Sequence, residues 1–158
     1  MNQTEELQKV LTETSAFLKE ISVVEEEKFQ AAIKNHILVI EDCIKKEQAL
    51  LLRSKGLEQK RINIQKAMNA EDMTLKQIIA NAAPEEKEGL QAAFLELEKN
   101  LKIYEEIYNR AKTAIEVNLH RINAEVEALT GSPLNGNVAY SVQGEKTQNP
   151  RTFTSRKV

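Results

Sequence analysis

Residues 84–129 read PEEKEGLQAAFLELEKNLKIYEEIYNRAKTAIEVNLHRINAEVEAL. Leu90, Phe94, Leu97, Leu101, Tyr104, Tyr108, Ala111, Ile115, Leu119, Ile122, Val126 and Leu129 recur every three or four residues, so they fall on one stripe of a continuous α-helix. No Gly or Pro follows Gly89 within it. At the α-helical rise the segment is roughly 69 Å long. A helix of that length cannot wrap into a small globule; it needs a partner of comparable length.

The residues before it can supply one. From about Thr4 to Met68 there is no Pro and the only Gly is Gly56, while Leu7, Leu11, Phe17, Ile21, Val24, Ile33, Ile37, Ile40, Ile44, Leu51, Leu57, Ile64 and Met68 keep helical spacing. Glu, Lys and Gln, all good helix formers, fill most of the gaps. The register shifts around Lys28–Asn35, where Lys28 and Asn35 take positions the earlier pattern would make apolar, which predicts a bend or a change of packing partner near Lys34–His36. Next comes a connector, Asn69–Met73. Thr74 and Gln77 have capping-box spacing and predict a short helix from Leu75 to about Ala82. Pro84, Glu85 and Glu86 suit the first turn of the long helix, and Gly131 and Pro133 its end.

The expected architecture is therefore all-α: a long antiparallel helical hairpin, of coiled-coil character, with a short connecting helix at the turn. Residues 1–130 form the elongated helical domain and residues 131–158 a polar tail. A second apolar set (Leu95, Ile103, Ile107, Ala114 and Val117 late; Val10, Leu18, Val23, Phe29, Leu38 and Leu50 early) leaves a second seam to fill. Self-association, folding of the first helix back near His36, or a client would each fill it.

Composition narrows the function. Hydrophobic residues are 41% and charged residues 29%, a balance for narrow seams rather than a thick core. There is no Trp and only 4% aromatic residues, which argues against a ring-lined ligand pocket. A net charge of −2 gives no reason to expect nucleic acid. No apolar run approaches the ~20 residues that span a bilayer, so direct membrane insertion is not expected. The first residues lack the basic start and apolar middle of a signal peptide, and the single Cys43 forms no internal disulfide, so a cytoplasmic location is the default expectation. The tail carries Lys146, Arg151, Arg156 and Lys157 against Glu145, a net of +3, leaving −5 on the preceding residues. With so few apolar residues it is expected to be disordered when free.

Catalytic chemistry finds little support. Glu116 and His120 lie four apart on one helix face, but the paired Glu-x-x-His pattern of di-iron bundles is missing, and a solvated pair is the preferred reading. Cys43 has no His placed beside it to make a nucleophile. No phosphate loop or zinc-ligand cluster is present. Glu25-Glu26-Glu27 and Lys45-Lys46-Glu47 read as solvated helix faces. The expectation is no enzyme, no cofactor and no metal. Two features stand out instead: Asn109 and Asn118 near the edge of the long stripe, where a polar residue can fix register, and the lone aromatics Tyr140 and Phe153 in the tail.

Together with the first helical stretch, these features resemble the FlgN family of flagellar export chaperones. Ile40–Leu51 and Leu57-Glu58-Gln59-Lys60-Arg61 are similar to the family's lysine- and glutamate-rich helix and its basic ending. Tyr108-Asn109 and Ile115–Leu129 are similar to its late helix, which reads Leu-Asn, two residues, Asn, two residues and a Leu-rich run; Lys112 stands where the second Asn is usual. Tyr140-Ser141-Val142-Gln143-Gly144 fits the family's Tyr-x-x-x-Gly, and Phe153–Val158 looks like the ending of some Gram-positive members. The resemblance implies a cytoplasmic chaperone that binds hook-associated proteins of the hook–filament junction, prevents their premature association, and delivers them to the cytoplasmic domain of the type III flagellar export gate. It places client binding around Asn109, Ile115, Leu119, Ile122 and Phe153, and gate docking at Tyr140 and Gly144. The rival expectation is a structural coiled-coil protein that self-assembles without a client.

Overall fold

The computed structural model describes residues 1–131. Four helices account for nearly all of them: α1, Gln3–Ile33; α2, Ile37–Ala67; α3, Leu75–Ala80; and α4, Pro84–Thr130. Among the described residues there is no strand.

Each boundary has a local cause. Asn2 opens α1 with a reciprocal capping box: its Oδ1 accepts from the Glu5 backbone N–H at 2.8 Å, and Glu5 Oε2 accepts from the Asn2 backbone N–H at 3.0 Å. Thr74 and Gln77 do the same for α3, which closes at Ala80, two residues before the expected end. Pro84 starts α4, and Gly131 ends it at φ 71°, a left-handed conformation that a side chain would oppose.

The expected bend near Lys34–His36 is a full reversal. Asn35 takes φ 57°, and the His36 N–H bonds back to the Ala31 carbonyl at 2.9 Å. The same device closes α2: Asn69 has φ 56° and the Ala70 N–H reaches the Gln65 carbonyl at 2.8 Å. Asparagine is among the few residues other than glycine that tolerate this region. The stretch from Thr4 to Met68 is thus not one straight arm but two helices folded against each other. The chain does fold back near His36, but this fills the second seam only in part: Val10 and Leu18 are buried, while Val23, Leu38, Leu95, Ile103 and Val117 stay exposed.

The pairing order follows from the cross-helix contacts. Glu13–Lys60 (2.9 Å), Glu20–Arg53 (2.6 Å) and Glu27–Lys46 (3.6 Å) show α1 and α2 running antiparallel. Asn2–Glu86 at one end (2.8 Å) and Glu26–Arg110 toward the other (3.5 Å) show α1 and α4 running parallel. Helix α1 is the shared member, packed on α2 and on α4.

The core is correspondingly asymmetric. Leu7, Leu11, Phe17, Leu18 and Ile21 of α1 pack with Leu90, Phe94, Leu97, Tyr104 and Tyr108 of α4, and α3 adds Leu75, Ile78 and Ile79. The buried residues of α2 are Cys43, Glu47, Ser54, Arg61, Ile64 and Gln65, mostly polar. Arg61 pairs with Glu58 at 2.6 Å and donates to Gln65, whose amide in turn donates to the Ala70 and Met73 carbonyls at 3.2 Å, so this network secures the connector to α3.

Candidate functional site

Helix α4 outlasts its neighbours. The Asn118 amide donates to the carbonyl of Ala32, one residue before α1 ends, so most of α4 beyond Asn118 extends past the last turn of α1. From Lys112 to Gly131 no residue is buried, whereas Leu90–Ala111 supplies every buried residue of the helix. The stripe itself does not stop. Ile115, Leu119, Ile122 and Val126 are half-buried and Leu129 is 86% exposed. At the same end of the bundle the α1–α2 turn presents Ile33, Ile37 and Leu38, all exposed. This end of the bundle thus presents apolar side chains from one helix face and from one turn.

Of the candidate residues, the structure brings Ile115, Leu119 and Ile122 onto this face. Asn109 is exposed and lies six residues before Ile115, about 120° round the helix from it. Asn118, by contrast, fixes the register of α4 on α1 through Ala32, the role a polar residue at a seam is suited to. Tyr140, Gly144 and Phe153 lie outside the described residues.

A cluster that sequence reasoning passed over sits where the three long helices meet. Lys28 is fully buried, with Nζ 2.6 Å from Glu47 of α2, 3.2 Å from Glu25 of its own helix, and 5.6 Å from the centre of the Tyr108 ring of α4. Glu25 and Glu47 are therefore not solvated, as their charged runs suggested; Lys28, standing at an expected apolar position, was the signal. Burial drives the Glu25 carboxyl up to about 9; Lys28 opposes the shift, and the neighbouring Glu47 adds to it. Glu25 thus holds its proton at neutral pH while Lys28 and Glu47 form the ion pair.

This makes a pH dependence. The folded chain favours protonated Glu25, so the stabilisation from this group is complete below about 4.5 and is lost as pH rises towards about 9. Glu25→Gln keeps a neutral group in place. Its stability relative to the parent is expected to rise between about pH 5 and pH 9, by up to about 1.4 kcal/mol per pH unit. Thermal melts of both proteins across that range check it; parallel profiles would show that Glu25 is ionised when folded.

Other chemistry is sparse. Cys43 is buried, and desolvation followed by the Glu27 charge pushes its thiol up to about 11, so it is a poor nucleophile at neutral pH. His120 is exposed beside a half-buried Glu116, and among the described residues no three His, Cys, Asp or Glu side chains converge on a metal-sized site. No described helix is long and apolar enough to cross a membrane.

A family model described as FlgN protein matches residues 1–148 of the chain. No curated protein and no solved structure matches the chain.

Proposed function

The chain belongs to the FlgN family of flagellar export chaperones, and from that premise we propose that its client is a hook-associated protein of the hook–filament junction. In this reading the helical body, residues 1–130, takes up an amphipathic terminal helix of the client in the cytoplasm and keeps it from associating early. The tail, residues 131–158, meets the cytoplasmic domain of the export gate. The supporting observation is the apolar strip Ile115–Leu119–Ile122–Val126–Leu129, which continues beyond the end of α1. An amphipathic helix laid along it would bury both apolar faces, the helix-in-groove mode of peptide recognition. Asn109 and Phe153 would add polar and aromatic contacts to the same client, and Tyr140 with Gly144 would dock on the gate.

Calorimetric titration of the purified chain with a hook-associated protein tests the first half of this reading. Saturable binding that does not need the tail's Tyr140 is expected. A stable self-oligomer that gives no heat with the client would favour the structural coiled-coil alternative. For the second half, Tyr140→Ala is expected to leave client affinity unchanged and to weaken binding to the isolated gate domain. Equal gate affinity for parent and variant would remove that assignment.

A further inference from the structure

We infer that the apolar strip at the end of α4 has an occupant within the chain itself: in the free protein the tail segment Val138–Val142 folds back and covers it, so that a client must displace it to bind. The strip ends where the tail begins. Ile115, Leu119, Ile122 and Val126 are half-buried, Leu129 is 86% exposed, and the helix that carries them stops at Gly131. Gly131, with its positive φ, and then Pro133 keep α4 from continuing. Asn135-Gly136 follows, a pair that favours chain reversal. The chain is thus steered back along α4. The six residues from Ser132 to Asn137 span at most ~20 Å, which matches the ~18 Å of helix between Leu119 and Gly131. Val138 can therefore lie beside the strip as far back as Leu119, and it cannot reach the buried half at Leu90.

The segment has the chemistry of a short amphipathic helix. Asn137 before it and Gly144 after it are residue types that cap helices at the start and at the end. Docked as a helix, it places Val138, Ala139 and Val142 on one face, with Tyr140 roughly 150° round from the centre of that face. An extended segment in the same place would leave backbone N–H and C=O groups unpaired against an apolar surface, because no strand is present among the described residues to pair with it. A helical turn satisfies its own, and packing supplies the stability that so short a helix lacks alone. The tail is then an internal version of the helix-in-groove ligand.

Two further observations favour this occupant. Residues 1–130 carry a net charge of −5 and the tail +3, so attraction draws the tail towards the body. The strip also carries an unmet polar group. Asn123 lies one helical turn from Leu119 and from Val126, and its Oδ1 is shielded from water with no hydrogen-bond donor. A buried acceptor of that kind calls for a partner, and Ser141, at the edge of the docked face, carries a hydroxyl that can donate to it. The short link raises the effective concentration of the segment to the order of millimolar, so modest contacts suffice to hold it against an unlinked client. Tyr140 points away from the strip and keeps its proposed role at the gate.

The test uses the full chain with Cys43→Ala and Gln143→Cys, carrying a nitroxide spin label on the new thiol and read by nuclear magnetic resonance. Broadening of the amide signals from Leu119 to Val126, unchanged on dilution and absent from α3, is expected. Val138→Asp with Val142→Asp is expected to remove most of that broadening without shifting the melting temperature, whereas Tyr140→Ala retains it. No broadening in the parent, or equal broadening in the double variant, overturns the proposal. Broadening of an isotope-labelled chain by a separately spin-labelled copy would put a second copy on the strip and overturn it as well. Calorimetry reads the consequence. The double variant is expected to bind a hook-associated protein at least about fivefold more tightly than the parent, as follows when the strip is open a fifth of the time or less, and Tyr140→Ala to bind it as the parent does. This arm alone rests on the proposed client. Broadening in the parent with no heat from the client supports the cover and fails the client reading; equal client affinity for parent and double variant overturns the competition.

Discussion

Lys28→Ala is expected to destabilise the folded chain by about 3–5 kcal/mol, which for a body of this size lowers the melting temperature by roughly 10 °C or more. The size of the effect comes from what is left behind. Lys28 Nζ lies 2.6 Å from Glu47 and 3.2 Å from Glu25, and its removal leaves the buried Glu47 carboxylate without its cation and the protonated Glu25 without its lysine neighbour. It also removes the charge over the Tyr108 ring and the only group opposing the rise of Glu25 through Coulomb attraction and a hydrogen bond. The contrast variant replaces all three together, Glu25→Leu, Lys28→Met and Glu47→Leu. Removing the whole cluster in favour of apolar side chains of similar volume is expected to be neutral or stabilising. Thermal and denaturant melts of the two variants distinguish a cluster that specifies how three helices meet from one that simply adds stability. A Lys28→Ala variant that melts within a degree or two of the parent would show that the pair is solvated in solution rather than buried.

Leu119→Asp combined with Ile122→Asp is expected to weaken client binding by at least about 100-fold, equivalent to ~2.7 kcal/mol, with little change in melting temperature. Both side chains are half-buried and both lie in the part of α4 beyond the Asn118–Ala32 contact, where no residue is fully buried. An aspartate there meets water in the free protein but must be desolvated when an apolar helix covers it, so the cost falls on the complex. Leu95→Asp with Ile103→Asp is the matched control. Those residues are 55% and 41% exposed on the same helix but flank the buried half. Calorimetry against the same hook-associated protein should show normal binding for the control. Equal loss in both variants would move the client away from the distal strip.

The helix that carries this strip was readable from sequence to within one residue. Pro84 and Gly131 are strong local signals, and the stripe between them has a single period. The Thr74–Gln77 capping box was equally legible because its chemistry is contained in four residues. The reversal at Lys34–His36 was legible only as a disturbance. Periodicity reports which face of a helix is apolar, not whether the helix continues, and the left-handed residue there is Asn35 rather than a glycine. The burial of Glu25 and Glu47 was illegible in their own runs, since a charged triplet reads the same whether or not one member turns inward. Only Lys28, out of place in the apolar register, pointed to the cluster, and its partners come from a second helix and a third. The distal strip was visible as a pattern, but its exposure depends on where α1 stops, which is a property of the packing. Asn109 shows the same limit from the other side: near the stripe in sequence, it is exposed and off the apolar face once the helix is built.

The parallel pairing of α1 with α4 has a consequence for synthesis. The contacts that join them, such as Asn2 with Glu86 and Ala32 with Asn118, link residues 84 and 86 positions apart. A chain leaving the ribosome therefore makes α1 and α2 well before the helix that completes the apolar core. Until α4 emerges, the first helix has only the mostly polar seam of α2 to lie against, with Leu7, Leu11 and Ile21 awaiting their partners. Long-range pairings of this kind slow folding and lengthen the exposure of nascent apolar surface. The exposed ion pairs from Glu13–Lys60 to Glu27–Lys46 are among the α1–α2 contacts open to the chain before the last helix arrives, and each exposed pair of this kind contributes little alone.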